Sequence, residues 1–432
     1  MSSGTSRILI LDGAMGSMIR SRYPSYRGCN DELCLTKPEL IASIHKSYLE
    51  AGADIIETCS FNSTPLSLAE YGLEGEARKI SEAAAALARK TADEFYRPGG
   101  AGKALVAGSM GPTAKSGSIP SDVTRPASRA IGWDELESAF FENAAGLLAG
   151  GVDMFLIETI FDTLNAKAAI AALARLFSER GKTAPVMISA TVNEGGRLLS
   201  GQGPLEFLAS IEHAAPWSVG LNCSFGAEKL IGPTRLLAAA APFRVHVYPN
   251  AGLPDSSGGY DATPASMAAA LEPYFAEGLL NIAGGCCGST PDHIAAIAEC
   301  AAKYPGRAEL PRPAAAAPFR AVFSAAELLS ASINSADYEA AAELLSAAVE
   351  DAGADAVLIR IDEGDKMSAF IRTALFYPDL ARLPLILESN NREAIEAGLK
   401  CIPAKAYVSA AALADKRDIA VQARRYGAEI FL

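Results

Sequence analysis

Histidine is scarce in this sequence. There are four in 432 residues, and none stands at metal-ligand spacing from another. The eight cysteines include no CxxC pair, which argues against a closed structural zinc site with four protein ligands. Phosphate-cradling loops and dinucleotide fingerprints are missing. No apolar run approaches the roughly 20 residues that cross a bilayer, so no membrane partner is expected. Basic residues number 38 against 50 acidic, giving a formal net charge of −12 and a pI near 5.0. A nucleic-acid partner is therefore not expected. The opening residues carry no signal-peptide core, because Ile8–Leu11 is too short and runs into Asp12. Without a secretion signal the cysteines read as reduced thiols, and the cytoplasm is the expected compartment.

Half of the chain is hydrophobic and a fifth is charged, a soluble globular balance with ample core. Strands are expected at Ile8–Leu11, Ile55–Glu57, Ala104–Ala107, Met154–Ile157, Val186–Ser189, Ser218–Leu221, Val245–Tyr248 and Leu279–Ala283. Helical patterns separate most of them; in Pro38–Ala51, for example, Leu40, Ile41, Ile44 and Tyr48 share one face. Near-continuous apolar strands joined by helical crossovers make a parallel sheet covered on its outside. Eight such units in about 300 residues fit a closed (β/α)8 TIM barrel over residues 1–306. One turn pattern recurs at Gly52-Ala-Asp54, Gly151-Val-Asp153, Gly353-Ala-Asp355 and Gly427-Ala-Glu429. It predicts a left-handed helix cap leading into a strand. Residues 307–318, with Pro311, Pro313 and Pro318 among alanines, read as a semi-rigid linker. Residues 319–432 then read as a smaller, incomplete α/β domain. Its strands are expected at Ala321–Phe323, Ala356–Ile361, Leu385–Leu387, Lys405–Val408 and Glu429–Leu432. An unfinished strand leaves an open edge that favours self-association, so a homodimer is the expectation.

In a parallel barrel, side chains at the C-terminal ends of the strands line the active face. Asp12, Glu57, Thr58, Ser109, Glu158, Asn222, Cys223, Asn250, Cys286 and Cys287 all fall at or just after predicted strand ends. Each alone is an ordinary loop or strand-end residue; as a set they are hard to assign to packing. The stretch Asn281-Ile-Ala-Gly-Gly-Cys286-Cys287-Gly-Ser-Thr-Pro-Asp292 places two adjacent cysteines on a glycine turn before a helix. Ser289 or Thr290 would cap that helix, with Pro291 at its first position. Alone, such a pair could be a strained redox couple, two buried apolar residues, or two ligands of one soft metal. A third cysteine in the same setting, Gly220-Leu-Asn-Cys223, favours the metal. Three thiolates hold Zn²⁺ at about 2.3 Å and leave one tetrahedral position open, which suits activation of another thiol. Asn250 could fill that position when substrate is absent, or could simply be a turn residue. Cys59, beside Glu57 and Thr58, reads as a small residue near the rim, Cys29 and Cys34 lie in an early loop that could join a site, and Cys300 and Cys401 read as buried helix-face residues.

The segments Leu11-Asp-Gly-Ala-Met-Gly16, Gly52–Thr58, Gly108–Thr113, Ile157–Asn165, Gly220–Cys223, Tyr248–Pro254 and Gly284–Thr290 resemble, in order, the homocysteine S-methyltransferase family. The nearest likeness is to the homocysteine-binding barrel of its cobalamin-dependent methionine synthase branch, over residues 7–304. That resemblance implies a zinc-dependent transfer of a methyl group to the thiol of homocysteine, giving methionine. By motif, Cys223, Cys286 and Cys287 are the implied catalytic zinc ligands, with Asn250 an exchangeable one. Asp12, Glu57, Thr58, Glu158 and Asn222 are the implied residues around the amino-acid end of the substrate. Ala14 departs from the family, which often has a second glycine there. The second unit resembles the opening half of the same enzymes' pterin-binding barrel. Leu358-Ile-Arg360, Glu388-Ser389 and Phe323–Leu329 replace its pterin-reading positions, so methyltetrahydrofolate is not expected to bind. No Asp-x-His-x-x-Gly cobalamin motif is present. The implied donor is therefore a separate methylcorrinoid protein acting in trans, which would bring the cobalamin. The alternatives are S-methylmethionine or betaine as donor, or a non-catalytic homocysteine- and zinc-binding module.

Overall fold

The structure is a computed structural model and describes residues 7–95, 103–254, 259–308, 310–311, 321–325, 333, 335–412 and 416–431. Most of the expected linker, residues 326–329 of the altered pterin segment, and Leu432 lie outside the described residues. The eight expected barrel strands all form: β1 Leu9–Ile10, β2 Ile55–Glu57, β3 Leu105–Met110, β4 Met154–Ile160, β5 Val186–Ala190, β6 Ser218–Asn222, β7 Arg244–Tyr248 and β8 Ile282–Ala283. Neighbours pair in sequence order from β2 to β8, and β8 pairs with β1. A parallel bridge between Leu11 and Ile55 closes the ring, reinforced where Asp12 N–H donates to Ile55 O at 3.0 Å.

Strands β3 and β4 run further than expected, to Met110 and Ile160. Ser109 and Glu158 look like loop residues by polarity, yet Ser109 lies in register with Leu156 inside the β3–β4 ladder. These strands are polar at one end because that end faces a cavity rather than helices. Inside the barrel, Leu11, Ile55, Ala107, Met154, Leu156, Met187, Tyr248 and Ile282 pack as one apolar plug. The outer helices cover the other face of each strand; in helix Pro38–Glu50 the buried residues include Ile41, Ile44 and Tyr48. The four recurrent turns are left-handed caps as expected, with φ of +102° at Gly52, +91° at Gly151, +57° at Gly353 and +70° at Gly427. Among the described residues no helix is long and apolar enough to cross a membrane.

The second unit is a five-stranded parallel sheet: β9 Val322–Ser324, β10 Ala356–Arg360, β11 Leu385–Glu388, β12 Ala406–Ser409 and β13 Ala428–Phe431, in that order. It packs against the barrel helices Trp133–Gly150 and Thr163–Arg180. Lys167, fully buried, donates from Nζ to Ile402 O (3.0 Å) and Ala404 O (2.7 Å). The buried Glu137 carboxylate accepts from Arg425 (2.9 Å) and from Trp133 Nε1 (3.0 Å). The Trp133 ring meets Tyr426 edge-on, centroids 5.0 Å apart. This cover explains why helix Thr163–Arg180 is buried on every side along its first turns, where a free surface helix would show a polar stripe.

Candidate active site

The strand ends converge on a cavity of about 260 Å³. Its lining takes Asp12 from the end of β1, Glu57 and Thr58 from β2, Ser109 from β3, Glu158 from β4, Cys223 after β6, and Cys286 and Cys287 after β8. Strand register alone brings these residues together from separate parts of the chain.

The cysteine turn is shaped by what surrounds it. Gly288 has φ +82°, and a Cβ there would sit 2.2 Å from the Tyr260 ring. Gly284 and Gly285 have ordinary φ. They are small because a Cβ would meet Leu11 Cβ at 2.7 Å or Ser289 Oγ at 2.5 Å. Thr290 is the N-cap of helix Pro291–Ala301, in a reciprocal capping box with His293. Ser289 instead accepts from Ala14 N (3.1 Å) and donates to Cys286 O (2.7 Å), tying the turn to the start of the chain. On the opposite side, Thr159, Cys223 and Ser224 take left-handed backbone conformations, with φ of +54°, +61° and +60°. Non-glycine residues held there cost on the order of 1–3 kcal/mol each and mark sites where geometry is imposed.

The sulfurs of Cys223, Cys286 and Cys287 lie within 4.8 Å of one another, and Cys223 and Cys287 are 4.0 Å apart. Tetrahedral zinc at about 2.3 Å from each thiolate requires sulfurs about 3.8 Å apart, so the three residues fit that ion. Their protons are unevenly held. Donation from Cys223 and Cys286 pulls the Cys287 thiol down to about 3. Cys286, crowded by the other two thiols and partly shielded from water, is pushed well above the usual thiol range. One thiolate forms readily; three together need a cation. No other cluster of this kind occurs among the described residues. Cys34 and Cys59 instead hydrogen-bond backbone carbonyls, Cys59 O and Asn30 O respectively.

Beside the sulfurs stand three carboxylates. Asp12 is 2% exposed and accepts from Glu57 N at 3.1 Å. Burial, then the Glu158 charge, raises it well above the usual carboxylate range despite that bond. Burial raises Glu57 as well, followed by the charges of Glu158 and Asp12. Burial lifts Glu158 to about 7, against hydrogen bonds from Ser109 and Tyr248. An acid cluster of this kind is built to receive a cation.

The remaining sequence candidates occupy other places. Thr58 bonds Ser60 Oγ (2.6 Å) and accepts from Ser109 N (2.9 Å), which fixes the β2–β3 rim. Asn222 does not line the cavity. Its amide accepts from Thr159 N and Ser189 Oγ and donates to Thr159 Oγ1 and, at 3.9 Å, to the Cys286 sulfur. Asn250 is 5% exposed, with Oδ1 lacking a hydrogen-bond partner. Its backbone lies between the two cysteine loops, its N–H on Phe225 O and the next N–H, of Ala251, on Cys287 O. Several lining residues escape sequence reasoning, among them Arg20, Tyr260 and Asp31. Tyr260 packs against the cysteine turn, its ring where a Gly288 Cβ would stand, and helps lower the Cys287 thiol, but sits in a loop with no motif. Asp31, also lining the cavity, accepts from Asn62 N (2.7 Å) and Ser63 Oγ (2.9 Å); only a fold places it there.

One rim of a closed parallel barrel thus gathers three sulfurs beside an acid-lined cavity. The homocysteine S-methyltransferase family profile matches residues 9–301, and the chain belongs to that family, whose activity is methyl transfer to homocysteine. Solved structures of the homocysteine methyltransferase MmuM from Escherichia coli are similar. The oxidized form has 25% identity and a TM-score of 0.56, covering 68% of this chain and 95% of that one. The metallated form has 25% identity and a TM-score of 0.54, with 68% and 96% covered.

Proposed function

We propose that Cys223, Cys286 and Cys287 hold Zn²⁺ and that the chain methylates the homocysteine thiol to give methionine, in the reducing cytoplasm. The observation that carries this reading is the gathering of three sulfurs within 4.8 Å beside an acid-lined cavity. The metallated form of the MmuM neighbour supports it. When bound, the zinc would take the substrate thiol at its open position and lower its pKa. Asn250, with its unpartnered Oδ1, is the candidate exchangeable ligand. Asp12, Glu57 and Glu158 receive the α-ammonium. Thr58 completes this pocket, and Asn222 orients Cys286 through its amide. The substrate sulfur then uses an electron pair to form a bond to the methyl carbon. The methyl–donor bond breaks as it does so, and its electron pair leaves with the donor.

For the donor we favour a methylcorrinoid protein acting in trans, on the likeness to the cobalamin-dependent branch. A second reading, a small cationic donor such as S-methylmethionine, is favoured by the lining itself, which has four carboxylates and a single basic residue. One experiment tests site and donor together. Metal analysis of the wild type, Cys223→Ala and Cys287→Ala is followed by homocysteine assays with each donor. About one zinc per wild-type chain and none in either variant is expected. A folded wild type unable to take up zinc under reducing conditions would end the proposal. Turnover with S-methylmethionine alone would remove the corrinoid donor.

A further inference from the structure

Homocysteine is a zwitterion, and the acid cluster accounts for only one of its charges. With the thiol at the cysteines and the ammonium on Asp12, Glu57 and Glu158, the α-carboxylate sits one carbon from a group of like charges. It needs hydrogen-bond donors of its own, and a cationic donor suits it best. Among the described residues Arg20 is the only basic side chain lining the cavity. It is exposed, whereas Asp12 and Glu158 are buried, so positive charge lies toward the mouth and negative charge on the floor. Arg20 has no hydrogen bond or ion pair to another described residue, so its guanidinium is free to bind a ligand. The helix that carries it is tied to the cysteine turn. Arg20 lies on helix Met15–Arg22, whose first residues Met15, Gly16 and Ser17 also line the cavity. Ser17 Oγ accepts from Gly288 N–H at 3.0 Å, joining that helix to the cysteine turn.

We infer that Arg20 binds the α-carboxylate of homocysteine and so selects an amino-acid thiol over a simple aminothiol. This assignment rests on the zinc–homocysteine reading above and adds to it a specificity-determining residue. A guanidinium takes a carboxylate by two parallel hydrogen bonds, which an ammonium side chain reproduces only as a point charge.

The test is calorimetric titration of the zinc-loaded full chain with homocysteine and with 3-aminopropane-1-thiol, which lacks the carboxylate. Wild type, Arg20→Ala and Arg20→Lys are compared after their zinc contents are shown to be equal. The wild type is expected to prefer homocysteine. In Arg20→Ala, homocysteine affinity is expected to fall about ten- to hundredfold while 3-aminopropane-1-thiol binding is unchanged, with part of the loss recovered in Arg20→Lys. An equal loss for both ligands, or no loss for homocysteine, overturns the assignment. A zinc-loaded wild type that binds neither thiol overturns the underlying reading first, and this one with it.

Discussion

Asp12, Glu57 and Glu158 share one water-poor pocket, and burial makes each hold its proton more tightly than a free carboxyl does. The consequence for stability has a definite sign. With Glu158 lifted to about 7, the folded protein binds more protons than the unfolded chain between the ordinary carboxyl range and that value. Stability without substrate therefore falls as pH rises through this window. Glu158→Gln is expected to flatten the decline, on the order of a few kcal/mol between pH 5 and pH 8. Denaturant unfolding of both proteins at several pH values checks it. Tyr260 makes a second residue-scale case. Its ring packs against the cysteine turn and its phenol helps hold Cys287 as thiolate, and groups supporting metal ligands typically contribute 10- to 100-fold in metal affinity. Tyr260→Phe is expected to weaken zinc binding by about that factor and leave the fold intact, as read by competition with a chromophoric chelator.

At the scale of elements, the cysteine turn and its helix act as one preformed unit. Gly288 cannot be replaced without cost, because its φ is left-handed and the Tyr260 ring fills the place of a Cβ. Gly288→Ala is expected to lower the midpoint of thermal unfolding and the zinc content together, at a cost on the order of 1–3 kcal/mol. An unchanged midpoint would show that the loop carrying Tyr260 moves aside freely. The elements also explain what could be read in advance. The strands and their order were legible because buried parallel strands are near-continuous apolar runs, as in Met154–Ile157, and the glycine caps between them are stereotyped. The C-terminal ends of β3 and β4 were not, because polar residues facing a cavity imitate loop. The three cysteines were legible because their neighbours form motifs. Tyr260, Asp31 and Arg20 were not, since nothing local distinguishes them from surface residues until the fold brings them to the cavity.

Across the whole molecule, the second sheet is held to the barrel by buried polar contacts rather than by an apolar face alone. Glu137 is central: it accepts from both Arg425 and Trp133, and Arg175 approaches to 3.6 Å. Glu137→Ala leaves those donors without their acceptor. Arg425 is half exposed, which limits the loss to about 1–2 kcal/mol. A lower unfolding midpoint with unchanged zinc content is the expected outcome. Loss of zinc in this variant would mean that the second sheet supports the sulfur site, a coupling the two networks' separate partners do not suggest.

Ring closure joins the first strand of the barrel to the last, β1 to β8, across more than 270 residues of chain. The sulfur cluster depends on the same closure, since the cysteine turn is tied to Ala14 and Ser17 while Cys223 comes from the far side. During synthesis, then, the three sulfurs cannot meet until Cys287 has left the ribosome, and the longest-range contact must form for the cluster to be complete. A metal captured at that moment would act as a latch on the finished ring, making zinc supply a determinant of folding yield as well as of catalysis.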